Sequence, residues 1–316
     1  MDGPPSLAAT SAATSATGAV GGLAPFRAAV LAWYAAHGRD LAFRATTDPY
    51  AILVSEAMAQ QTQAVRAAEF WTRFLAEFPT VRDLAAASPA AVLRAWRGLG
   101  YNRRALALRA AAIAIVRDFD GQVPDDISAL EALPGVGPYT ARAVAALAFG
   151  RPVGAVDVNV RRVMTRVVGG ADGALMPAEV QSHADQLVPA DGPGHWTHAL
   201  MDVGATFCRP RAPRCDACPA LVHCRYAAAR TSATAVSPSN RAPRERPAPF
   251  ETTNRWLRGR ILDLLRDADG DGWATLPPLL GAHGSGAIAT ALEALHREGL
   301  AEPHPDDQSR ARLPIA

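Results

Sequence analysis

The chain of 316 residues is long enough for two domains, and with 49% apolar residues it can bury a substantial core. Charged residues amount to 20% and the net charge is only +2, so overall charge does not single out a nucleic-acid partner. All 32 basic residues are arginines, which excludes enzymes that form a Schiff base through a lysine side chain.

The first 22 residues are rich in Ala, Ser, Thr and Gly, a composition that predicts a disordered tail at 1–22. They lack the basic start and the apolar segment of a signal peptide. No apolar run reaches the roughly 18 residues that a membrane-spanning helix needs. We therefore expect a cytoplasmic protein with no membrane partner.

From about residue 24 to 230, apolar residues recur at three- and four-residue spacing, which predicts helix after helix. The segments 90–100, 103–119 and 139–150 show this pattern, and several such segments end at glycine, as helices often do. Because convincing strand-like alternation is absent, the fold class is predicted to be all-α.

One acid lies within the apolar segment 53-LVSEAMAQQTQ-63. At helical spacing, Glu56 shares a face with Ile52 and Leu53, where a carboxylate is costly unless it is paired, neutral or used in chemistry. A structural acid that pairs with an arginine or caps a helix accounts for Glu56 as well as catalysis does.

Two glycines, Gly135 and Gly137, separate two helical segments in 133-LPGVGPYTARAVAAL-147. Glycines permit a tight turn and close approach of another backbone, and the free amides at the start of the second helix suit a phosphate. An ordinary corner between helices has the same pattern, so this motif alone is a weak indication of DNA binding.

A second acid, Asp157, precedes a helical pattern in 152-PVGAVDVNVRRVMTRVV-168, where an isolated aspartate is more often an N-cap. Cleavage of an N-glycosidic bond, however, needs a proton donor for the departing base and a negative charge beside the sugar cation. Glu56 on an apolar face would have the raised pKa of an acid, while Asp157 would stay ionised. The sequence leaves open whether the two acids meet.

All four cysteines lie in the segment 208-CRPRAPRCDACPALVHC-224. This spacing predicts one four-thiolate metal site, and zinc and a [4Fe–4S] cluster both accept such ligands. Disulfides are the weaker interpretation because no secretion signal is present. Five arginines accompany one acid in this region, which suits DNA phosphates or, alternatively, a solvated loop. These residues are Arg209, Arg211, Arg214, Arg225, Arg230 and Asp216.

The segment 231–250 is rich in Ser, Pro and Arg and is predicted to be a linker. Two helical patterns follow within 251–316, which predicts a small C-terminal module, either helical or winged-helix-like. A minor appendage that only packs against the rest of the protein explains this segment equally well.

The acid with its trailing glutamines, 134-PGVGPYTA-141, 157-DVNVRRV-163 and the cysteine segment together resemble the helix-hairpin-helix DNA glycosylases with an iron–sulfur cluster, in particular those that remove adenine. The resemblance extends from about Arg39 to Cys224. It implies a six-helix barrel with the helix-hairpin-helix at 45–155, and an iron–sulfur cluster domain formed by 23–44 together with 156–230.

The resemblance also implies residue roles. Glu56 would protonate the adenine at N7 after the base is flipped out of the duplex, and Asp157 would stabilise or covalently trap the sugar cation. Tyr139 and Asn159 would support these acids. A [4Fe–4S] cluster would be held by Cys208, Cys215, Cys218 and Cys224.

Further positions match residues that contact DNA in this family. Tyr101 would be a wedge between bases, and other matches would contact the opposite strand, the adenine or the DNA backbone. They are Gln61, Thr62 and Leu99 for the opposite strand, Arg39, Leu41, Arg44 and His198 for the adenine, and Gly135 and Gly137 for the backbone.

The position of Tyr139 separates two branches of the family. Endonuclease III has a lysine there, forms a Schiff base and breaks the strand, whereas this chain has tyrosine and no lysine at all. We therefore expect a monomeric, monofunctional glycosylase that removes adenine mispaired with 8-oxoguanine or guanine in double-stranded DNA. An endonuclease III-like enzyme for oxidised pyrimidines and a non-catalytic iron–sulfur DNA-binding protein are the alternatives.

The sequence also departs from the family pattern. Val158 stands where the family has glycine, Phe43 replaces a tryptophan, and Ala42 replaces the proline before it. His198 stands where Glu or Gln is frequent, and Asn102 replaces a second tyrosine after the wedge. The segment 251–316 is too short for the nudix-like domain with which many relatives recognise 8-oxoguanine.

Overall fold

The computed structural model describes residues 23–170, 173–232 and 249–315. The predicted tail at 1–22 and most of the predicted linker at 231–250 lie outside these residues. Across the three described ranges, no helix is both long and apolar enough to cross a bilayer.

The described residues form fourteen α-helices and five short strands. The helices are α1 Ala24–His37, α2 Pro49–Ala59, α3 Ala64–Glu77, α4 Val81–Ala86, α5 Pro89–Ala95, α6 Arg103–Phe119, α7 Ile127–Glu131, α8 Pro138–Ala148, α9 Val158–Met164, α10 Pro177–Leu187, α11 Pro193–Thr206, α12 Arg225–Ser232, α13 Asn254–Arg266 and α14 Ser285–Arg297. The strands are β1 Ala274–Thr275, β2 Leu279–Leu280, β3 His283–Gly284, β4 Glu302–Pro303 and β5 Arg310–Arg312.

Helix α2 lies at the centre of a bundle formed by α2 to α8. Asp48 caps it by accepting hydrogen bonds from the amides of Tyr50 at 2.7 Å and Ala51 at 3.1 Å. Nearly every residue of α2 is buried, which is the property of a helix surrounded by others. The bundle therefore carries Glu56 into its interior, and the prediction of an all-α fold is confirmed for this part of the chain.

A second core lies beside the bundle and is formed by residues that precede the bundle in the sequence together with residues that follow it. Phe26 of α1 meets Trp196 of α11 edge to face, with ring centroids 6.0 Å apart. Val163 and Met164 of α9 are buried in the same cluster. The chain thus enters the bundle from this second core and returns to it, and α11 packs against both α9 and the bundle helix α8.

The C-terminal module combines α13 and α14 with a small antiparallel sheet. Its strand order is β1-β5-β4, with Ala274 opposite Ala311 and Glu302 opposite Arg312, while β2 and β3 form a separate two-stranded pair. Two helices combined with short strands, three between the helices and two after them, fit the winged-helix-like alternative better than the purely helical one.

The module packs directly on the bundle. Its buried leucines belong to the same apolar cluster as those of α5, and the buried Arg266 ties the two parts together. Arg266 Nε donates to the carbonyl oxygen of Leu93 at 2.9 Å, and its Nη2 donates to Asn102 Oδ1 at 2.7 Å. The departure at position 102 thereby has a physical reason, since Asn102 accepts a hydrogen bond that holds the module.

Candidate active site

Helix α2 holds the Glu56 carboxyl almost completely out of solvent, with 9% of the residue exposed. Burial raises the pKa of Glu56 to about 7, opposed by a hydrogen bond from Tyr139. The negative charge of Asp157 raises this pKa as well, and the positive charge of Arg44 lowers it. A carboxyl group with this pKa is protonated in a large fraction of molecules near neutral pH and can donate its proton.

Tyr139 is the second residue of α8, directly after the hairpin turn. Burial and the charges of Glu56 and Asp157 raise the pKa of this phenol well above 10, so it stays protonated and acts as a hydrogen-bond donor. Its hydroxyl also lies 4.0 Å from Sδ of Met201, a weak acceptor. Tyr139 thus contributes a neutral donor beside the buried acid.

Asp157 is the N-cap of α9, as its position before a helical pattern indicated. Its Oδ1 accepts hydrogen bonds from the amides of Asn159 at 2.9 Å and Val160 at 2.6 Å. Its Oδ2 accepts from Asn159 Nδ2 at 2.8 Å. Three donors therefore fix this carboxylate, close enough to Glu56 for its charge to act on that acid.

Asn159 is fixed in turn by Arg162, which also bonds to a carbonyl oxygen of α11. Arg162 Nη2 donates to Asn159 Oδ1 and to the carbonyl oxygen of Gly204, both at 2.8 Å. Arg162 Nε donates to the carbonyl oxygen of Cys208. A continuous set of hydrogen bonds thus connects the cysteine segment with Asp157.

A cavity of about 300 Å³ opens next to Glu56. Among its lining residues are Phe43, Arg44 and His198. Ligand pockets are typically about 300–1,000 Å³, so this cavity suits one nucleobase rather than a longer ligand. The structure thereby brings together the acid and two of the residues predicted to contact adenine.

Asp202 organises the arginines beside this cavity and was not singled out from the sequence. It is fully buried and accepts hydrogen bonds from Arg44 Nη1 and Nη2, each at 2.8 Å, and from Arg39 Nε at 2.7 Å. These partners hold the pKa of its carboxyl at about 2 despite its burial. The sequence did contain one indication of this role, because Asp202 is an acid that lies four residues after His198 in an apolar helix.

His198 contributes a neutral imidazole to the cavity. Burial, assisted by the charge of Arg44, lowers the pKa of His198 to about 3. An uncharged ring has one nitrogen that donates and one that accepts, which matches the donor and acceptor atoms on the edge of a base. Histidine can therefore replace the Glu or Gln expected from the family pattern.

The other predicted contact residues are divided between the core and the surface. Leu41 is buried outside the lining of the cavity, and Leu99 is buried in the bundle. Tyr101 is 49% exposed, and both it and Gln61 have left-handed backbones with φ of +48° and +56°. Such conformations are strained in non-glycine residues and concentrate at functional sites. The roles of Leu41, Leu99, Gln61 and Tyr101 stay predictions.

Arg104 connects the two strained segments. Its Nη1 donates to the carbonyl oxygens of Ala57 at 2.8 Å and Met58 at 3.0 Å at the end of α2. Its Nη2 donates to the carbonyl oxygen of Gly100 at 3.1 Å and reaches Thr62 Oγ1 at 3.4 Å. One half-buried guanidinium group therefore holds the loops around both Gln61 and Tyr101.

The predicted hairpin is formed by α7, a tight turn and α8. Gly135 has φ of +76°, and a Cβ atom there would lie 2.7 Å from the Cβ of Ala107, so glycine is required. Gly137 caps α8 and has open space around it. Within the described residues, no side chain caps the amides at the start of this eleven-residue helix, and uncapped amides of this kind suit an anion such as a phosphate.

The four cysteines surround one small cavity and are all partly buried. Arg166 Nη1 lies 3.3 Å from Cys208 Sγ, so a cation already faces one sulfur. The donor set therefore fits a thiolate-bound group. No three His, Cys, Asp or Glu side chains in the described ranges are spaced to hold a single metal ion.

Helical bundle, hairpin and buried acid together define a class of DNA-processing enzymes, and comparisons with known proteins agree. Residues 54–190 match the HhH-GPD superfamily base excision DNA repair protein family. The chain is 43% identical to the adenine DNA glycosylase of Mycolicibacterium smegmatis and 46% identical to that of Mycobacterium tuberculosis, in both cases over 76% of this chain and over 80% and 78% of the relative.

A solved structure of a thermostable thymine-DNA glycosylase aligns with a TM-score of 0.61 at 31% identity, over 65% of this chain and 95% of that one. The chain belongs to the adenine DNA glycosylase family within the HhH-GPD superfamily. The prediction of a DNA glycosylase fold and family is thereby confirmed.

Proposed function

We propose that this protein is a base-excision-repair glycosylase that hydrolyses the N-glycosidic bond of adenine mispaired with 8-oxoguanine or guanine. The observation that carries this proposal is the buried Glu56 carboxyl, which lines a cavity of base size and whose pKa burial raises to about 7. The named relatives at 43% and 46% identity support adenine as the base. The enzyme would act as a monomer on nucleoid DNA in the cytoplasm.

The proposed reaction begins with a flipped adenine in the cavity, because the bond cannot be reached inside the base stack. Glu56 donates its proton to N7 of the adenine, so that the base takes the electron pair of the glycosidic bond and departs as neutral adenine rather than as an anion. Asp157, fixed by Asn159, stabilises the positive charge that develops on the sugar. Tyr139 holds the Glu56 carboxyl in place.

The reaction would stop at an abasic site. Breaking the strand by β-elimination requires an amine that forms a Schiff base with the opened sugar, and the sequence contains no lysine. Tyr139, at the position where endonuclease III has lysine, has a phenol instead. A water molecule would complete hydrolysis of the sugar cation.

We also propose that the four cysteines hold a [4Fe–4S] cluster. All four side chains line one small cavity, where their thiolates would surround the cluster. The cluster would support the loop that follows α11.

The test is single-turnover release of adenine from a duplex with an 8-oxoguanine·adenine pair, with each sample divided before and after alkali. Strand breaks that appear only after alkali would support adenine removal without lyase chemistry. Breaks before alkali would contradict the monofunctional mechanism. No breaks in either half, with DNA bound, would contradict the substrate, and duplexes with oxidised pyrimidines would then test the endonuclease III-like alternative.

The Glu56→Gln variant separates an enzyme from a DNA-binding protein. We expect it to lose base release by several orders of magnitude and to keep its affinity for the duplex, because the amide has the same shape but no acidic proton. Visible absorbance and iron content of the purified protein test the cluster. A stoichiometric zinc content without visible absorbance would contradict it.

A further inference from the structure

A cleft of about 860 Å³ lies between the bundle and the C-terminal module, on the side where Tyr101 is exposed. The first residues of α6 contribute Arg103 and Arg104, and α13 contributes Arg255, Arg258 and Arg260. Only two acids, Asp263 and Glu298, belong to the lining. The cleft is therefore positively charged, although the chain as a whole is nearly neutral.

The two acids neutralise part of this charge. Glu298 Oε2 lies 2.7 Å from Arg258 Nη2, which ties up that arginine. Asp263 is shared, at 3.4 Å from Arg260, 3.4 Å from Arg266 and 3.7 Å from Arg97. Arg97 has a second and closer partner in Asp267, so two acids face three guanidinium groups and one positive charge remains in excess near Arg260.

Arg255 extends from α13 to the predicted wedge residue. Its guanidinium carbon lies 5.2 Å from the centroid of the Tyr101 ring, and that of Arg104 lies 5.7 Å from the same ring. Arg255 is exposed, as is Tyr101. The module thus places a cation next to the residue that would enter the duplex.

The position of this cation is fixed by the packing of the module. Arg266 holds α13 against Leu93 and Asn102, and Arg97 pairs with Asp267 at 2.5 Å. The apolar residues of α13 and of α5 form one continuous core. A module that served only as an appendage would not require three arginines, Arg255, Arg258 and Arg260, on the wall that faces Gln61 and Tyr101.

We propose that this cleft binds the phosphates of the DNA strand opposite the adenine, with Arg255 and Arg260 as contacts from the C-terminal module. The inference rests on the proposed function for the identity of the strands. Tyr101, entering the duplex from the bundle, directs the strand that carries the unpaired partner base toward α13. The module is then part of the DNA-binding surface.

The test compares the double variant Arg255→Ala/Arg260→Ala with a matched control, Arg73→Ala/Arg117→Ala, both in a Glu56→Gln background that prevents turnover. In the control, Arg73 lies over the ring of Phe70 and Arg117 pairs with Asp118, but both lie outside the lining of the cleft. Duplex affinity is measured between 50 and 200 mM salt, and thermal unfolding verifies that each variant folds.

Duplex affinity falls as salt rises, and each lost phosphate contact makes the slope of log K against log salt less steep by about 0.9. Over this fourfold range of salt, the affinity of the parent should therefore fall about tenfold more than that of the double variant. The control should follow the parent. An equal slope in the parent and in the folded double variant would overturn the proposal.

Neutral methylphosphonates then assign the strand. Placed in the strand opposite the adenine, they should weaken binding of the parent. They should have little effect on the double variant, because this variant has already lost the same contacts. The same coupling on the adenine strand, or on neither strand, would overturn the assignment. Adenine release by the wild-type protein is measured separately, so failure of the proposed function is distinguished from failure of this site.

Discussion

Gly204 of α11 lies directly against Asn159, the residue that donates to the Asp157 carboxylate. A Cβ atom at position 204 would lie 2.7 Å from the Cβ of Asn159 and 3.3 Å from two of its backbone atoms. The carbonyl oxygen of Gly204 also accepts from Arg162, which holds the Asn159 side chain. The glycine therefore makes the room in which the second acid is positioned.

We expect Gly204→Ala to slow adenine release about 10- to 100-fold under single-turnover conditions, because an added methyl group displaces Asn159 and with it Asp157. Duplex affinity should change much less, since the methyl group is inside the protein. Base release is measured by alkali cleavage at saturating enzyme, and affinity in a separate titration.

Gly286→Ala is the matched control, a helical glycine in α14 with no atom within 4 Å of the added Cβ. It should keep full activity. Unchanged base release in Gly204→Ala would show that the contact with Asn159 does not position Asp157.

The pH dependence of base release tests the protonation of Glu56. The pKa of Glu56 is raised to about 7, and the proposed mechanism uses the protonated form. The rate should therefore be constant at lower pH and fall as pH rises through about 7, reaching about 100-fold less at pH 9. A single-turnover rate that does not vary between pH 6 and pH 9 would contradict the role of Glu56 as the acid.

Tyr139→Phe provides a second measurement of the same group. The hydrogen bond from Tyr139 lowers the pKa of Glu56, so its removal should move the midpoint of the pH profile to higher pH. A role of Tyr139 in packing alone would reduce the rate without moving the midpoint.

The sequence predicted what depends on local pattern and missed what depends on distant pairing. The apolar spacing around Glu56 indicated its burial, and the pattern after Asp157 indicated a cap. By contrast, Asp202 meets Arg39 across 163 positions, and Arg266 meets Asn102 across 164, distances over which sequence contains no geometric signal. The strands of the C-terminal module have two or three residues each, too few to show alternation.

The burial of Glu56 should also cost stability. Because its pKa is raised from 4.5 to about 7, the folded protein holds a proton that the unfolded chain loses between these two values. The contribution of Glu56 to the free energy of unfolding is therefore largest below pH 4.5. It decreases by about 3 kcal/mol as pH rises to about 7. We expect Glu56→Gln to be more stable than the wild type at pH 8, and the two proteins to differ little at pH 4.5. Chemical denaturation at both pH values measures this, and equal stability at pH 8 would contradict it.

The buried Asp202 should have the opposite dependence on pH. Its pKa is lowered from 3.8 to about 2, so the stability it contributes is present above 3.8 and is lost as pH falls toward 2. We expect Asp202→Asn to lose about 3–5 kcal/mol at pH 7, because it leaves the buried Arg44 without its counter-charge. The difference from the wild type should shrink at pH 2 to 3, where the wild-type carboxylate is itself being protonated. Asp118→Asn, which removes the exposed partner of Arg117, is the control and should leave stability nearly unchanged, because solvent screens this pair. A loss for Asp202→Asn as small as that of the control would mean that Arg39 and Arg44 do not depend on this acid.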